Sequence, residues 1–307
     1  MTTSADRILD DLTAGIEPRL IPPTLIKARR EILAVAERLR AIPDAALTRP
    51  WTWRPDGEEE VRYGFYRIAE LLEVAGIDAA TAARRSGIER GRAADLIGPA
   101  TAARWDLEGL LLGIPDELWD ADPGGEQWSI RVTTGHVIGG QRAYAVGTSW
   151  WLQQGFSASD PALPKQTPDT LWESLPSEDD EAVGAPAVVR AHLGHVVDRS
   201  IERLAGLPHD RLAVIARWSG FIVDIGFRLS RWSSHIREHT IQVEKTLEML
   251  DHHPTEVDRL VRLILAAWGR AEAEVVGRPK GDEVVEPLVV AARESTAVVS
   301  AIRSLAD

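Results

Sequence analysis

The sequence predicts an all-α fold. Apolar residues recur at three- and four-residue spacing along almost the whole chain, which is the period of a helix with one buried face. No alternating stretch is long enough to indicate a strand firmly, and residues 211–217, "RLAVIAR", are a mild candidate. Hydrophobic residues make up 44% of the 307 residues, which is ample for the core of one large domain or two smaller ones.

The first predicted helix follows Pro22 and Pro23 and continues through "TLIKARREILAVAERLRAI". Its apolar face consists of Leu25, Ile32, Leu33, Val35, Ala36 and Leu39. A Pro-rich loop, "RPWTWRPDG", leads to a second helix at 58–76, for which Gly76 is the expected C-cap. Short helical pieces are expected over 77–98.

The middle of the chain predicts a helix at 98–114 and another that begins after Ser129, a good N-cap, and continues to about Trp151. Residues 153–185 are rich in Pro and Ser and predict a long surface connection. Further helices are expected at 186–206, 221–250, 256–275 and 285–305. Thr255 is the expected N-cap of the helix at 256–275.

Charge and composition exclude several classes of protein. The net charge of −12 and the pI near 5.2 argue against a nucleic-acid partner and against docking on an anionic membrane. No apolar run reaches the roughly eighteen residues of a transmembrane helix, and the first twenty residues do not resemble a signal peptide. A cytoplasmic protein is therefore expected. Four lysines beside 31 arginines hint at a GC-rich bacterial genome.

The chain has no cysteine, which excludes disulfides, thiolate zinc sites and a cysteine nucleophile. Any metal ion has to be held by histidines and carboxylates. The stretch "RWSSHIREHTIQVEKTL" places His235 and His239 four apart on a predicted helix, where both can reach one cation. They lie on the flank of the apolar stripe beside Arg228, Gln242 and Thr246, as in a pocket wall. The alternative is a pair of half-buried structural histidines.

His136, in "EQWSIRVTTGHVIGGQRAY", is the third candidate. It shares a helix face with Gly139 and Gly140, and such small residues leave room for a ligand or for a close helix. The alternative is a lone buried histidine in a tightly packed helix. His192 lies on the flank of another helix, where it could support a site, and His195 is expected to point to solvent. The remaining histidines are expected in solvated turns: His209, His252 and His253.

The pairing of "WSIRVTTGH" with a distant "HIREH" on a long helix resembles the DinB/YfiT-like superfamily, over residues 98–275. The resemblance implies an up-down-down-up four-helix bundle that binds a divalent metal, zinc or nickel, through His136, His235 and His239. It suggests an N-terminal helical region at 1–95, a bundle at 96–280 and a C-terminal helix at 281–307. A faint echo between "IPDAAL" and "IPDELW" suggests that the N-terminal region is a degenerate helical pair in which Phe65 replaces the histidine.

The resemblance also implies a function. The first candidate is an S-transferase that acts on a small molecule with a low-molecular-weight thiol, such as mycothiol, as cosubstrate. The alternatives are a hydrolase that uses metal-bound hydroxide, and a non-catalytic module for ligand binding or dimerisation. Candidate substrate-contacting residues are Trp128, Arg228, Trp232 and Gln242, although core packing is the alternative for the tryptophans. No catalytic carboxylate stands out, Glu126 is expected in a solvated loop, and a homodimer stays open.

Overall fold

The computed structural model describes residues 4–54, 57–157, 159–160 and 162–306, and over these the all-α prediction is confirmed. Pro55, Asp56, Ala158 and Pro161, which belong to the predicted loop and connection, lie outside the described residues. The helices are α1 (Ser4–Leu12), α2 (Pro23–Arg40), α3 (Val61–Arg85), α4 (Arg92–Ile97), α5 (Pro99–Leu112), α6 (Ile130–Gln154), α7 (Asp169–Glu173), α8 (Glu178–Glu181), α9 (Pro186–Leu204), α10 (Ile225–Met249), α11 (Glu256–Ala273) and α12 (Glu286–Ala306). None of these helices combines the length and the apolar composition that crossing a bilayer requires.

Two short antiparallel hairpins were not predicted. The first pairs β1 (Pro50–Arg54), where a loop was expected, with β2 (Gly57–Glu60), most of which was expected to be helical. The second pairs β3 (Ile215–Trp218) with β4 (Phe221–Asp224). The strand candidate at 211–217 overlaps β3 only in part. Strands of four or five residues carry too little alternation to be read from sequence. The second hairpin shortens the helix predicted from 221, so that α10 begins after Asp224, whose carboxylate accepts a hydrogen bond from the Phe227 amide at 2.7 Å.

The predicted end of α3 at Gly76 is wrong, because the helix continues to Arg85. Gly76 is a contact point instead of a C-cap. A Cβ at this position would lie 2.9 Å from the Cα of Ala271 on α11. The missing side chain therefore lets two helices approach closely, and the glycine marks packing and not a break.

The long helices form two bundles. The inner bundle consists of α5, α6, α9 and α10, each packed against two of the others. The outer bundle consists of α2, α3, α11 and α12, and it joins the inner one where α11 packs along α5. The short helices α1 and α8 lie on α6, and α4 lies against α10. The domain boundaries at residues 95 and 280 stay a prediction.

A buried ionic network ties the two bundles together. Arg29 of α2 donates to both oxygens of Glu272 on α11, at 2.8 and 2.7 Å, and to Asp198 on α9 at 2.6 Å. The indole N–H of Trp268 also donates to Glu272, which is fully buried. Because a buried carboxylate is costly unless paired, these contacts fix how α2, α9 and α11 meet.

Candidate metal centre

Helix α6 carries the first histidine of the candidate site. The helix begins where the Ser129 hydroxyl accepts a hydrogen bond from the Val132 amide at 3.3 Å, as predicted, and it places His136 in its second turn. Gly140, one turn later, faces α10. A Cβ on Gly140 would lie 2.6 Å from the ring of His235, so only glycine admits that imidazole.

The structure brings His136, His235 and His239 together, and we call them the histidine triad. The Nε2 atom of His235 lies 3.1 Å from Nε2 of His239 and 3.4 Å from Nε2 of His136. Each residue offers one ring nitrogen, and these nitrogens all lie within 4.8 Å of one another. His235 is buried, whereas His136 and His239 are half-buried. The three nitrogens could hold one divalent cation, and the half-buried pair leaves a side open to solvent.

Side-chain oxygen atoms accept hydrogen bonds from the Nδ1 atoms of two triad histidines. The Nδ1 atom of His136 lies 2.8 Å from Glu178 Oε1, and that of His239 lies 2.7 Å from Gln242 Oε1. Because carboxylate and amide oxygens accept hydrogen bonds, both rings carry their proton on Nδ1. Their Nε2 lone pairs therefore point into the triad, which is the arrangement that metal-binding histidines need.

His235 is held differently. Its Nδ1 lies 3.2 Å from the side-chain nitrogen of Gln141, which also lies 3.4 Å from the carbonyl of Trp232, while Gln141 Oε1 is buried without a partner. A donating amide makes Nδ1 an acceptor and puts the ring proton on Nε2, where it donates to His239. Metal binding requires the opposite tautomer. Turning the Gln141 amide over would offer its unpartnered oxygen to an Nδ1 proton.

The triad is electrostatically suited to a cation. Burial, together with the neighbouring His239 and His136, lowers the pKa of His235 to about 3. Burial also lowers the pKa of His239, although its hydrogen bond to Gln242 opposes the shift. Imidazoles that stay neutral at physiological pH keep their lone pairs available and do not repel a positive ion.

Aromatic rings form two sides of the triad. Trp128 stacks against His239 with the ring planes 13° apart, and its centroid lies 5.0 Å from that of His136. On the other side, the ring of Tyr144 lies 5.1 Å from the ring of His235. Tyr144 was not among the predicted site residues, although it follows His136 by eight residues on the same helix. This helical spacing was the available signal.

The other predicted substrate residues occupy distinct places. Arg228 is buried and donates to the Thr148 hydroxyl and to the carbonyl of Arg217. Trp232 is fully buried, with its ring 5.7 Å from Tyr144. Gln242 contacts a triad histidine directly, and Trp128 packs on the triad. Contact of these side chains with a substrate stays a prediction.

Sequence reasoning missed Glu178 because it lies in the segment predicted as a surface connection. Ser177 and Asp180 form a capping box that starts the short helix α8, and this Ser-x-x-Asp spacing was the readable signal. The last residue of α8, Glu181, is buried against Arg142 at 2.5 Å and His192 at 3.2 Å. His192 thus contacts the helix that carries Glu178, and its support of the site stays a prediction. His195, expected to point to solvent, is 41% exposed and lies 3.2 Å from Asp6.

The comparisons with known proteins agree with this arrangement. The model of the DinB superfamily matches residues 100–243, a range that contains all three triad histidines and most of the inner bundle. Comparison with curated proteins and comparison with solved structures each gave no match. Over residues 100–243, the chain is therefore similar to the DinB superfamily, which supports the family indicated by the sequence.

Proposed function

We propose that this protein is a metal-dependent transferase for low-molecular-weight thiols, with His136, His235 and His239 as the metal ligands. The observation that carries the proposal is the convergence of three Nε2 atoms, two of which have their proton held on Nδ1 by an oxygen acceptor. Neutral imidazoles suit zinc and nickel. When bound, either ion would act as a Lewis acid that lowers the pKa of a thiol.

The ligand count supports a catalytic site over a structural one. Among the described residues, no fourth histidine or carboxylate joins the three nitrogens. Three protein ligands leave a position for a reactant, whereas structural zinc sites are usually closed by four. Trp128, which is 39% exposed, and Tyr144 flank the triad with aromatic surface, which would shield a reacting sulfur from part of the solvent.

The role of Glu178 favours thiol transfer over hydrolysis. Hydrolysis is helped by a base that takes a proton from water. Glu178 is the carboxylate that contacts the triad, but its Oε1 is engaged by His136 Nδ1. A bound cation would acidify a thiol as it would a water, but a thiolate is intrinsically the stronger nucleophile, so thiol transfer has less need of a further base.

Two measurements, made one after the other, test the proposal. Elemental analysis of the untagged full chain should find about one equivalent of zinc or nickel, lost in His235→Ala but retained in His253→Ala, whose imidazole is exposed. The metal-loaded protein should then accelerate conjugation of mycothiol, bacillithiol or N-acetylcysteine to an electrophile such as monobromobimane.

The outcomes separate the alternatives. Metal binding without thiol conjugation, together with hydrolysis of p-nitrophenyl acetate, would replace the transferase by a hydrolase. Absence of metal even after incubation with zinc and nickel would rule out both enzymes and leave a binding or dimerisation module.

A further inference from the structure

Arg228 is a buried cation without a carboxylate partner. It is 5% exposed, and its Nε and Nη1 donate to the Thr148 hydroxyl at 3.0 Å and the Arg217 carbonyl at 2.6 Å. Among the described residues, no carboxylate forms an ion pair with Arg228, and its observed hydrogen bonds come from Nε and Nη1 and not from Nη2. Burial lowers its pKa to about 10, so it stays charged at neutral pH. Burying a charge without a counter-ion is costly, which suggests that an anion completes the site.

Arg231, one turn further along α10, adds a second guanidinium group. The Cζ atoms of Arg228 and Arg231 lie 5.2 and 5.5 Å from the centroid of the Trp218 ring. The Nε of Arg231 is buried without a partner, and its Nη2 lies 3.1 Å from Glu238. The Glu238 side chain is 53% exposed, so solvent screens this pair. Positive charge therefore dominates around Trp218.

Tyr144 links this positive charge to the triad. Its ring lies 4.7 Å from Trp218 on one side and 5.1 Å from His235 on the other. Gly147, nearly one turn further along α6, leaves space for the guanidinium group, since a Cβ there would lie 3.0 Å from Arg228 Nη2. The arginines and the triad thus lie along one seam between α6 and α10, with Tyr144 between them.

We propose that Arg228, assisted by Arg231, binds a carboxylate group of a small-molecule reactant whose reacting atom lies at the histidine triad. Guanidinium groups offer forked donors that match a carboxylate, and the free Nη2 of Arg228 supplies such donors. The part played in catalysis rests on the function proposed above, whereas anion binding by Arg228 does not. The inference assigns the substrate class: an anionic thiol or an anionic acceptor.

Calorimetric titration of the full chain with three probes tests this inference. The probes are N-acetylcysteine, its primary amide, and N-acetylalanine, which keeps the carboxylate but lacks sulfur. The metal-loaded wild type should bind the acid at least about tenfold tighter than the amide, as expected for a hydrogen-bonded charge pair. Chelator-treated protein should still bind N-acetylalanine through Arg228.

Variants of single arginines show which residue causes the preference for the acid over the amide. Arg228→Met should bind the acid and the amide alike, and Arg228→Lys should keep part of the preference. Arg237→Met is the matched control, because Arg237 is an exposed arginine on the same helix and its loss should change nothing. The wild-type comparison of acid with amide remains decisive even if Arg228→Met fails to fold.

The outcomes distinguish this inference from the proposed function. Equal binding of acid and amide by the wild type, with no binding of N-acetylalanine, would overturn the inference and leave thiol transfer standing. Arg228-dependent binding of N-acetylalanine would support the anion site. If, in addition, the sulfur atom of the other two probes does not strengthen their binding, the result would count against the thiol function.

Discussion

Glu178 Oε1 lies 2.8 Å from Nδ1 of His136, so a one-turn helix in the connection after α6 holds a histidine of the candidate metal centre. The buried pair of Glu181 and Arg142 fixes the other end of that turn. The backbone of Glu178 also packs on α6, where a Cβ on Gly135 would lie 2.5 Å from its carbonyl oxygen. The connection is thus part of the site.

Replacing Glu178 with alanine should weaken metal binding by roughly 10- to 100-fold. Without this acceptor, the ring of His136 can rotate and its proton is no longer held on Nδ1. Glu178→Gln retains an oxygen acceptor and should lose less. Competition with a chromophoric chelator measures both affinities, with Glu173→Ala on the neighbouring helix α7 as the control. Unchanged affinity in Glu178→Ala would show that the contact does not position His136.

Gln141 should change its hydrogen-bonding role when metal binds. Nitrogen NMR of the histidine rings should show the proton of His235 on Nε2 in metal-free protein and on Nδ1 after zinc is added, because the triad uses Nε2. Gln141→Met removes the partner and should weaken zinc binding by about tenfold. The exposed Gln166, changed to Met, serves as the control. If His235 keeps the same tautomer with and without zinc, the Gln141 amide does not turn over on metal binding.

The glycine at position 140 should be required for metal binding. In Gly140→Ala, the new methyl group would overlap the His235 ring, which has little freedom because Gln141 contacts its other edge. We expect metal affinity to fall by about tenfold or more, although alanine favours a helix by up to about 1 kcal/mol. Gly91→Ala is the matched control, since nothing lies within 4 Å of a Cβ there. Wild-type affinity in Gly140→Ala would contradict the observed packing.

Acid should destabilise the metal-free protein through His235. Burial lowers the pKa of this residue to about 3 in the folded chain, whereas an exposed histidine titrates near 6.5. The unfolded chain therefore takes up the proton first, and the stabilisation present above about pH 6.5 is lost as the pH falls towards 3. Urea unfolding across this pH range should show that the free energy of unfolding falls less steeply with decreasing pH in His235→Gln than in the wild type. Equal slopes would argue against a buried neutral imidazole.

The two bundles should unfold together, because Arg29 connects them. Arg29→Met leaves the fully buried Glu272 short of a partner, and breaking a buried pair in this way costs about 3–5 kcal/mol of the free energy of unfolding. Circular dichroism during urea unfolding measures the change. The exposed pair of Arg270 and Glu73 provides the control, since Arg270→Met should cost about 1 kcal/mol or less. A small effect of Arg29→Met would indicate bundles that are stable independently.

The sequence was sufficient for the features that depend on local pattern. Helix periodicity predicted the long helices, and the N-caps at Ser129 and Thr255 were placed correctly because a hydroxyl before an apolar run is a local signal. The convergence of the three histidines followed from the family resemblance together with their helical placement.

Features that depend on tertiary packing could not be predicted. Gly76 looked like a helix end, because nothing in the sequence shows that α11 lies against it. Glu178 looked solvated, since its partner His136 is 42 residues away in sequence. The roles of Tyr144 and Gln141 likewise depend on α10, which brings His235 beside them.

The outer bundle is built from segments on either side of the inner bundle in sequence: α2 and α3 precede it, and they pack against α11 and α12, which follow it. During synthesis, the partners of α2 and α3, which are α11 and α12, leave the ribosome after the whole inner bundle. The inner bundle is complete in sequence before α11, but the apolar faces of α2 and α3 stay uncovered until α11 and α12 emerge. A nascent chain stalled before α11 would therefore display those faces to chaperones, and a truncation before α11 would destabilise helices made earlier.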